Sequence, residues 1–208
     1  MFITLEGIDR SGKTTQAARL VAALGESGRD VLALREPGGT AVGERVRELL
    51  MDPGLELDPR TELLLFCAAR AELCAGVIEP ALGSGRDVVC DRFVDSTIAY
   101  QGVGRGLGRA SAEAACDAAI GGLVPDLTLL LRIDPAAALA RGQQRLAAGV
   151  ADGTDRFESE GASFQARIAA AYDEQASRHP ERIVVIDAAG SPDEVHRRIV
   201  AAVLARRP

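Results

Sequence analysis

Residues 7–14 read Gly7-Ile8-Asp9-Arg10-Ser11-Gly12-Lys13-Thr14, which fits G-x-x-x-x-G-K-[ST]. The spacing suits a polyphosphate. Glycines let backbone N–H groups turn inward around phosphate oxygens, and a helix starting at the loop directs its positive end at them. Lys13 is placed to reach the β and γ phosphates of ATP, the Thr14 hydroxyl to bind Mg²⁺, and Thr15 to follow in the same turn. Asp9 and Arg10 fill the variable positions. They are either surface turn residues or part of the chemistry. In the second reading Arg10 brings positive charge to the transferring phosphoryl group, as an arginine finger in cis does.

Such a loop names a phosphoryl donor, and three further segments bear on the acceptor. Arg35-Glu36-Pro37-Gly38-Gly39-Thr40 follows an apolar run, so Arg35 stands at a strand end as a candidate phosphate ligand, with Pro37 and the glycines shaping a tight loop. Phe66 and Arg70 are four apart and share a helical face. Spacing leaves two readings open: a base-stacking ring beside a guanidinium fork, or a core Phe and a surface Arg. In the third segment, Asp91 closes an apolar run where a metal-shell carboxylate belongs. Arg92 follows, and Ser96, Thr97, Tyr100 and Gln101 add polar groups at helical spacing.

The elements that must position these groups alternate. Strand patterns fall at 2–6, 31–34, 87–90, 127–133 and 183–186. Helical patterns fall at 13–23, 40–51, 60–82, 111–120, 135–148, 162–178 and 192–206. The implied fold class is α/β: a P-loop NTPase three-layer sandwich with a central parallel sheet of about five strands, helices on both faces and a short lid. Ligands in such sheets lie beyond the carboxyl ends of the strands. The segments after the strands hold most of the unusual chemistry, which points to one shared site. Residues 102–108, with four alternating glycines, and 147–154 read as candidate lids.

The 208 residues suit one domain spanning 1–208. A net charge of −6 argues against a protein that coats nucleic acid. Cys67, Cys74, Cys90 and Cys116 form no C-x-x-C pair, so zinc or a redox couple is not expected, and buried free thiols fit a reducing cytoplasm. No run approaches the length of a membrane helix, and the first residues do not resemble a secretory leader. A cytoplasmic protein with no nucleic-acid or membrane partner is expected. The sequence has no Asn, which removes the Asn-Lys-x-Asp element of guanine-specific switches. An ATP-binding scaffold without turnover stays open as a rival class.

GIDRSGKTT, REPGGT, LLLFCAAR, DRFVDSTIAYQG and DRFESE, in this order, resemble the thymidylate kinase family over essentially the whole chain. The resemblance implies transfer of the ATP γ-phosphoryl group to dTMP with Mg²⁺. It places Phe66 on thymine, Arg70 on the base carbonyl edge, Thr97 and Ser96 beside the base, Tyr100 against the sugar, and Gln101 closing over the base. Arg35 and Arg92 would hold the monophosphate, and Asp9 would meet the sugar hydroxyl or the metal shell. A lid at about 141–160 would bring Arg141 to adenine and Arg145 to the phosphates, with Asp155 and Glu158 ordering acceptor, metal or waters. A homodimer is implied as well. The chain departs from the pattern twice. Leu73 stands where many relatives have histidine. No basic residue lies between Arg145 and Arg156, so Arg10 in the loop is expected to be the main transition-state arginine. The nearest alternative is a kinase of another nucleoside monophosphate or of a deoxynucleoside.

Overall fold

The computed structural model describes residues 1–147 and 161–206, with the backbone alone for Arg145. Among these residues five parallel strands form one sheet: β1 (Phe2–Glu6), β2 (Val31–Arg35), β3 (Asp87–Asp91), β4 (Leu127–Arg132) and β5 (Ile183–Asp187), in the order β2-β3-β1-β4-β5. β1 is central, with Thr4 in register with Cys90 on one side and Thr128 on the other. The loop after β1 therefore opens at the middle of the sheet, flanked by the ends of β3 and β4. β2 lies beyond β3, so Arg35 enters from the outer side.

Alternation along the strands explains the two packed faces. Ile3, Leu5 and Val89 join Leu20, Leu24, Ile199 and Val203 on one face. Phe2, Val88 and Cys90 join Leu73, Ile78, Phe93 and Ile120 on the other. All four cysteines are buried and free.

The helices are α1 (Lys13–Glu26), α2 (Ala41–Met51), α3 (Pro59–Leu73), α4 (Glu79–Gly83), α5 (Val94–Thr97), α6 (Arg109–Ile120), α7 (Pro135–Ala147), α8 (Ala162–Arg178) and α9 (Pro192–Ala205). Their ends follow sequence chemistry. The Thr40 side chain caps α2 by accepting from Gly43 N–H, and Ser191 with Glu194 forms a capping box on α9. The helix expected over 60–82 is interrupted by a π-helical turn, Cys74–Ile78, and a second such turn, Ile98–Gly104, follows α5. The second corrects the expectation of a mobile lid at 102–108. Gly104 is seated on α8, where an added Cβ would come within 2.9 Å of the Phe164 ring. Gly108 N–H also bonds the Gly102 carbonyl at 2.8 Å. Gly102 and Gly104 permit close packing, while Gly106 and Gly108, at φ 75° and 85° with open space around them, serve the turn itself. No described helix is long and apolar enough to cross a membrane.

Candidate active site

The 7–14 loop takes its shape from β4 as well as from its own residues. Gly7 has φ 140°, and a Cβ there would stand 2.6 Å from the Leu131 carbonyl oxygen. Lys13 Nζ donates to the carbonyls of Gly7 at 3.0 Å and Ile8 at 2.8 Å. Burial, reinforced by Arg92, pushes its pKa down to about 8. Ser11 is buried within the loop, and Gly12, at φ 100°, leads into α1. Thr15 lies on the exposed first turn of that helix.

Thr14 Oγ1 donates to Asp91 Oδ2 at 2.6 Å, across the gap between the loop and the end of β3. Asp91 Oδ1 is buried with no hydrogen-bond partner among the described residues. A hydroxyl beside an orphaned carboxylate oxygen fits Mg²⁺, which takes few protein oxygens and fills its shell with phosphates and water.

Arg10 and Arg92 both adopt left-handed backbone conformations, at φ 64° and 73°. For side chains other than glycine this costs roughly 1–2 kcal/mol each, and strain of this kind gathers at functional sites. Arg92 N–H bonds the Leu5 carbonyl at 3.0 Å, which locks the turn after β3 to β1. Its guanidinium donates to Ser96 Oγ at 3.1 Å and pairs with the Asp9 carboxylate, while Cζ lies 5.1 Å from the Tyr100 ring centre. Asp9 Oδ2 accepts from Tyr100 OH at 2.9 Å and from Gln165 Nε2 at 3.2 Å. Burial opposes the Asp9 charge, but Arg92 and then Lys13 outweigh it and hold the carboxyl below its ordinary pKa. With both oxygens engaged by protein donors, Asp9 lies with Arg92, Tyr100 and Gln165 rather than with Thr14 and Asp91.

The spacing left Arg70 open between site and surface. It is buried, 1% exposed. Nε and Nη2 grip Glu36 at 2.6–3.1 Å, and Nη2 also donates to Thr97 Oγ1 at 3.0 Å and the Phe93 carbonyl at 3.2 Å. Burial works against the cation, and Glu36 outweighs burial, so the fork stays charged. Phe66, one turn earlier, is half-buried. Gln101 Nε2 donates to Glu62 Oε1 at 2.8 Å, and Arg105 Nε reaches the same oxygen at 3.2 Å. Arg35 lies outside this buried layer, bonded to the Pro37 carbonyl at 3.1 Å and to Glu44 at 3.0 Å.

Several residues that the sequence reading passed over complete the site. Glu6 Oε1 accepts from Phe93 N–H at 2.7 Å, and Oε2 from Ser96 Oγ at 2.6 Å and Tyr172 OH at 2.9 Å. Burial, then the nearby Asp95, raises the Glu6 pKa to about 7. Glu6, Glu36, Tyr172 and Gln165 are the supports under the expected contacts. A charged residue closing the apolar run FITLE was the one available signal for Glu6.

On the donor side Arg141 Nη2 donates to the carbonyls of Ala188 at 2.8 Å and Gly190 at 3.2 Å, which joins α7 to the loop after β5. The Arg145 side chain, Asp155, Glu158 and most of the expected lid lie outside the described residues.

A parallel sheet with this loop after its central strand, a Thr–Asp bridge beside it and a second basic cluster opposite define a P-loop phosphotransferase. A family model described as "Thymidylate kinase" matches residues 5–199. Thymidylate kinases of Desulfosudis oleivorans and Deinococcus radiodurans are 48% and 44% identical, covering 97% and 99% of this chain and 95% and 97% of theirs. The crystal structure of thymidylate kinase from Ehrlichia chaffeensis superposes with a TM-score of 0.77 at 35% identity, covering 98% of both chains. The chain belongs to the thymidylate kinase family, and it is a kinase.

Proposed function

We propose that the chain passes the γ-phosphoryl group of ATP to dTMP, giving ADP and dTDP, as one domain with a lid over about 141–160. The observation that supports this most is the Asp9–Arg92–Tyr100 cluster. It joins the donor loop to the acceptor wall, so both nucleotides would meet over one set of charges.

Because dTMP is already an anion, the reaction needs alignment and charge neutralisation more than a strong base. Lys13, Arg10 and Arg92 carry the charge. Thr14 and Asp91 would hold Mg²⁺, which would supply neutralising charge to the phosphates. Phe66 stacks on thymine, and Arg70, aimed by Glu36, bonds the base carbonyl edge with Thr97 and Ser96 beside it. Tyr100 packs against the sugar, Asp9 meets its hydroxyl, and Gln101 closes the wall. Arg35 swings from Glu44 to the monophosphate. Arg141 borders adenine. Arg145, Asp155 and Glu158 act from the lid.

A coupled ADP-release assay across dTMP, dUMP, dCMP and thymidine tests the acceptor. dTMP is expected to give the highest kcat/KM. A clear win for another acceptor sinks the reading, as does ATP binding without dTMP-stimulated ADP release. The family likeness and the exposed Leu64, Val42 and Leu49 on α3 and α2 support a homodimer, which light scattering tests. The buried free thiols support a cytoplasmic setting.

A further inference from the structure

Gly142 lies in α7, one residue beyond Arg141. Two attachments hold this stretch of helix. Asp134 Oδ1 caps its start, accepting from the N–H groups of Ala136 at 2.9 Å and Ala137 at 3.1 Å. Arg141 fastens the next turn to the Ala188 and Gly190 carbonyls. A glycine inside such a helix lowers its propensity. Its backbone is helical, so no unusual conformation calls for glycine there.

Space calls for it. The Arg10 side chain runs across Gly142. A Cβ at position 142 would stand 2.8 Å from Arg10 Cζ and closer still to Cδ and Nε, inside the 3.0 Å that real Cβ atoms respect. Something must move. α7 is fastened at its start and again at Arg141, the neighbour of position 142, and the Arg10 backbone is confined to its left-handed turn at φ 64°. The flexible end of Arg10 is what yields.

We propose that Gly142 is a positioning residue for phosphoryl transfer: its missing side chain is the slot that sets where the Arg10 guanidinium stands. The inference rests on the reading of Arg10 as a charge donor to the transferring group. It adds that α7 places that charge and that the loop alone does not.

Steady-state kinetics of Gly142→Ala, Arg10→Ala and the double variant test it, with thermal unfolding of each. Gly142→Ala is expected to lower kcat on the order of 10- to 100-fold, the scale of a displaced catalytic group. KM for dTMP should stay within about twofold, since the acceptor wall is untouched. The unfolding midpoint should be at or above that of the unaltered protein, because Ala favours helix. In the Arg10→Ala background the same change should cost less than about twofold, the mark of two residues acting through one contact. An unchanged kcat in Gly142→Ala, with Arg10→Ala impaired, overturns the slot. Equal proportional losses in both backgrounds overturn it as well. An Arg10→Ala variant with full kcat overturns the underlying assignment of Arg10 instead, so the two failures are distinct.

Discussion

Two arginine–glutamate pairs flank the loop after β2. Arg70 and Glu36 meet at 2.6 Å with side chains 1% and 4% exposed, while Arg35 and Glu44 meet at 3.0 Å with side chains 48% and 45% exposed. In sequence, Arg35 and Glu36 are neighbours. In the fold they face different media. A buried pair resists opening, because either partner left alone is an uncompensated charge in a low dielectric. An exposed pair opens at little cost, since water and salt already screen it. The inner pair holds the Arg70 guanidinium in one place. The outer pair is suited to release its arginine to an arriving phosphate.

The sharpest way to break this contrast is Glu36→Ala. Leaving Arg70 buried and unpaired should cost about 3–5 kcal/mol of stability, read by urea unfolding. A loss below about 1 kcal/mol would mean that Arg70 finds water and the inner pair is no more fixed than the outer one.

Glu6 extends the contrast to a buried carboxyl held mainly by neutral donors. Its folded pKa of about 7 exceeds the ordinary 4.5. The folded state therefore binds the extra proton, and the associated stability is complete below pH 4.5 and is lost as pH rises through about 7. The decline should be on the order of 3 kcal/mol, and Glu6→Gln should flatten it in unfolding curves taken across that window. An equally steep decline in the variant would place the titrating group elsewhere.

The outer pair predicts smaller effects. Arg35→Ala should change stability by less than about 1 kcal/mol yet raise KM for dTMP about tenfold, the worth of one charge-assisted bond. An unchanged KM would remove Arg35 from the phosphate site. Smallest of all, Glu44→Gln frees Arg35 from its partner and should lower KM for dTMP about two- to threefold with little change in kcat. A raised KM would mean that Glu44 aims Arg35 at the phosphate instead of competing for it.

Where an element's evidence was local, the sequence carried it. The 7–14 loop, the strands and most helix spans follow from spacing and periodicity, and the loop's partner Asp91 was found because it closes an apolar strand. What failed to show was anything resting on a distant partner. Arg70 reads as site or surface until Glu36, 34 residues away, is seen to grip it. Tyr172 reaches Glu6 across 166 residues, and Gln165 reaches Asp9 across 156. Composition cannot separate the two uses of glycine within 102–108, where Gly102 and Gly104 serve closeness and Gly106 and Gly108 serve a positive-φ turn. The π-helical turns were missed because one extra residue per turn leaves the apolar pattern nearly intact.

The turn at Ile98–Gly104 has a consequence for transplanting this site. Tyr100 and Gln101 are neighbours, yet one bonds Asp9 in the donor loop and the other bonds Glu62 on α3. The widened turn sets how these two side chains diverge: drawing it into a regular helix would re-aim Tyr100 and Gln101 relative to their partners. The wall built from this segment is therefore not divisible residue by residue. It moves between scaffolds only as a block, residues 94–108 together with the Phe164 and Ile168 surface that seats Gly104.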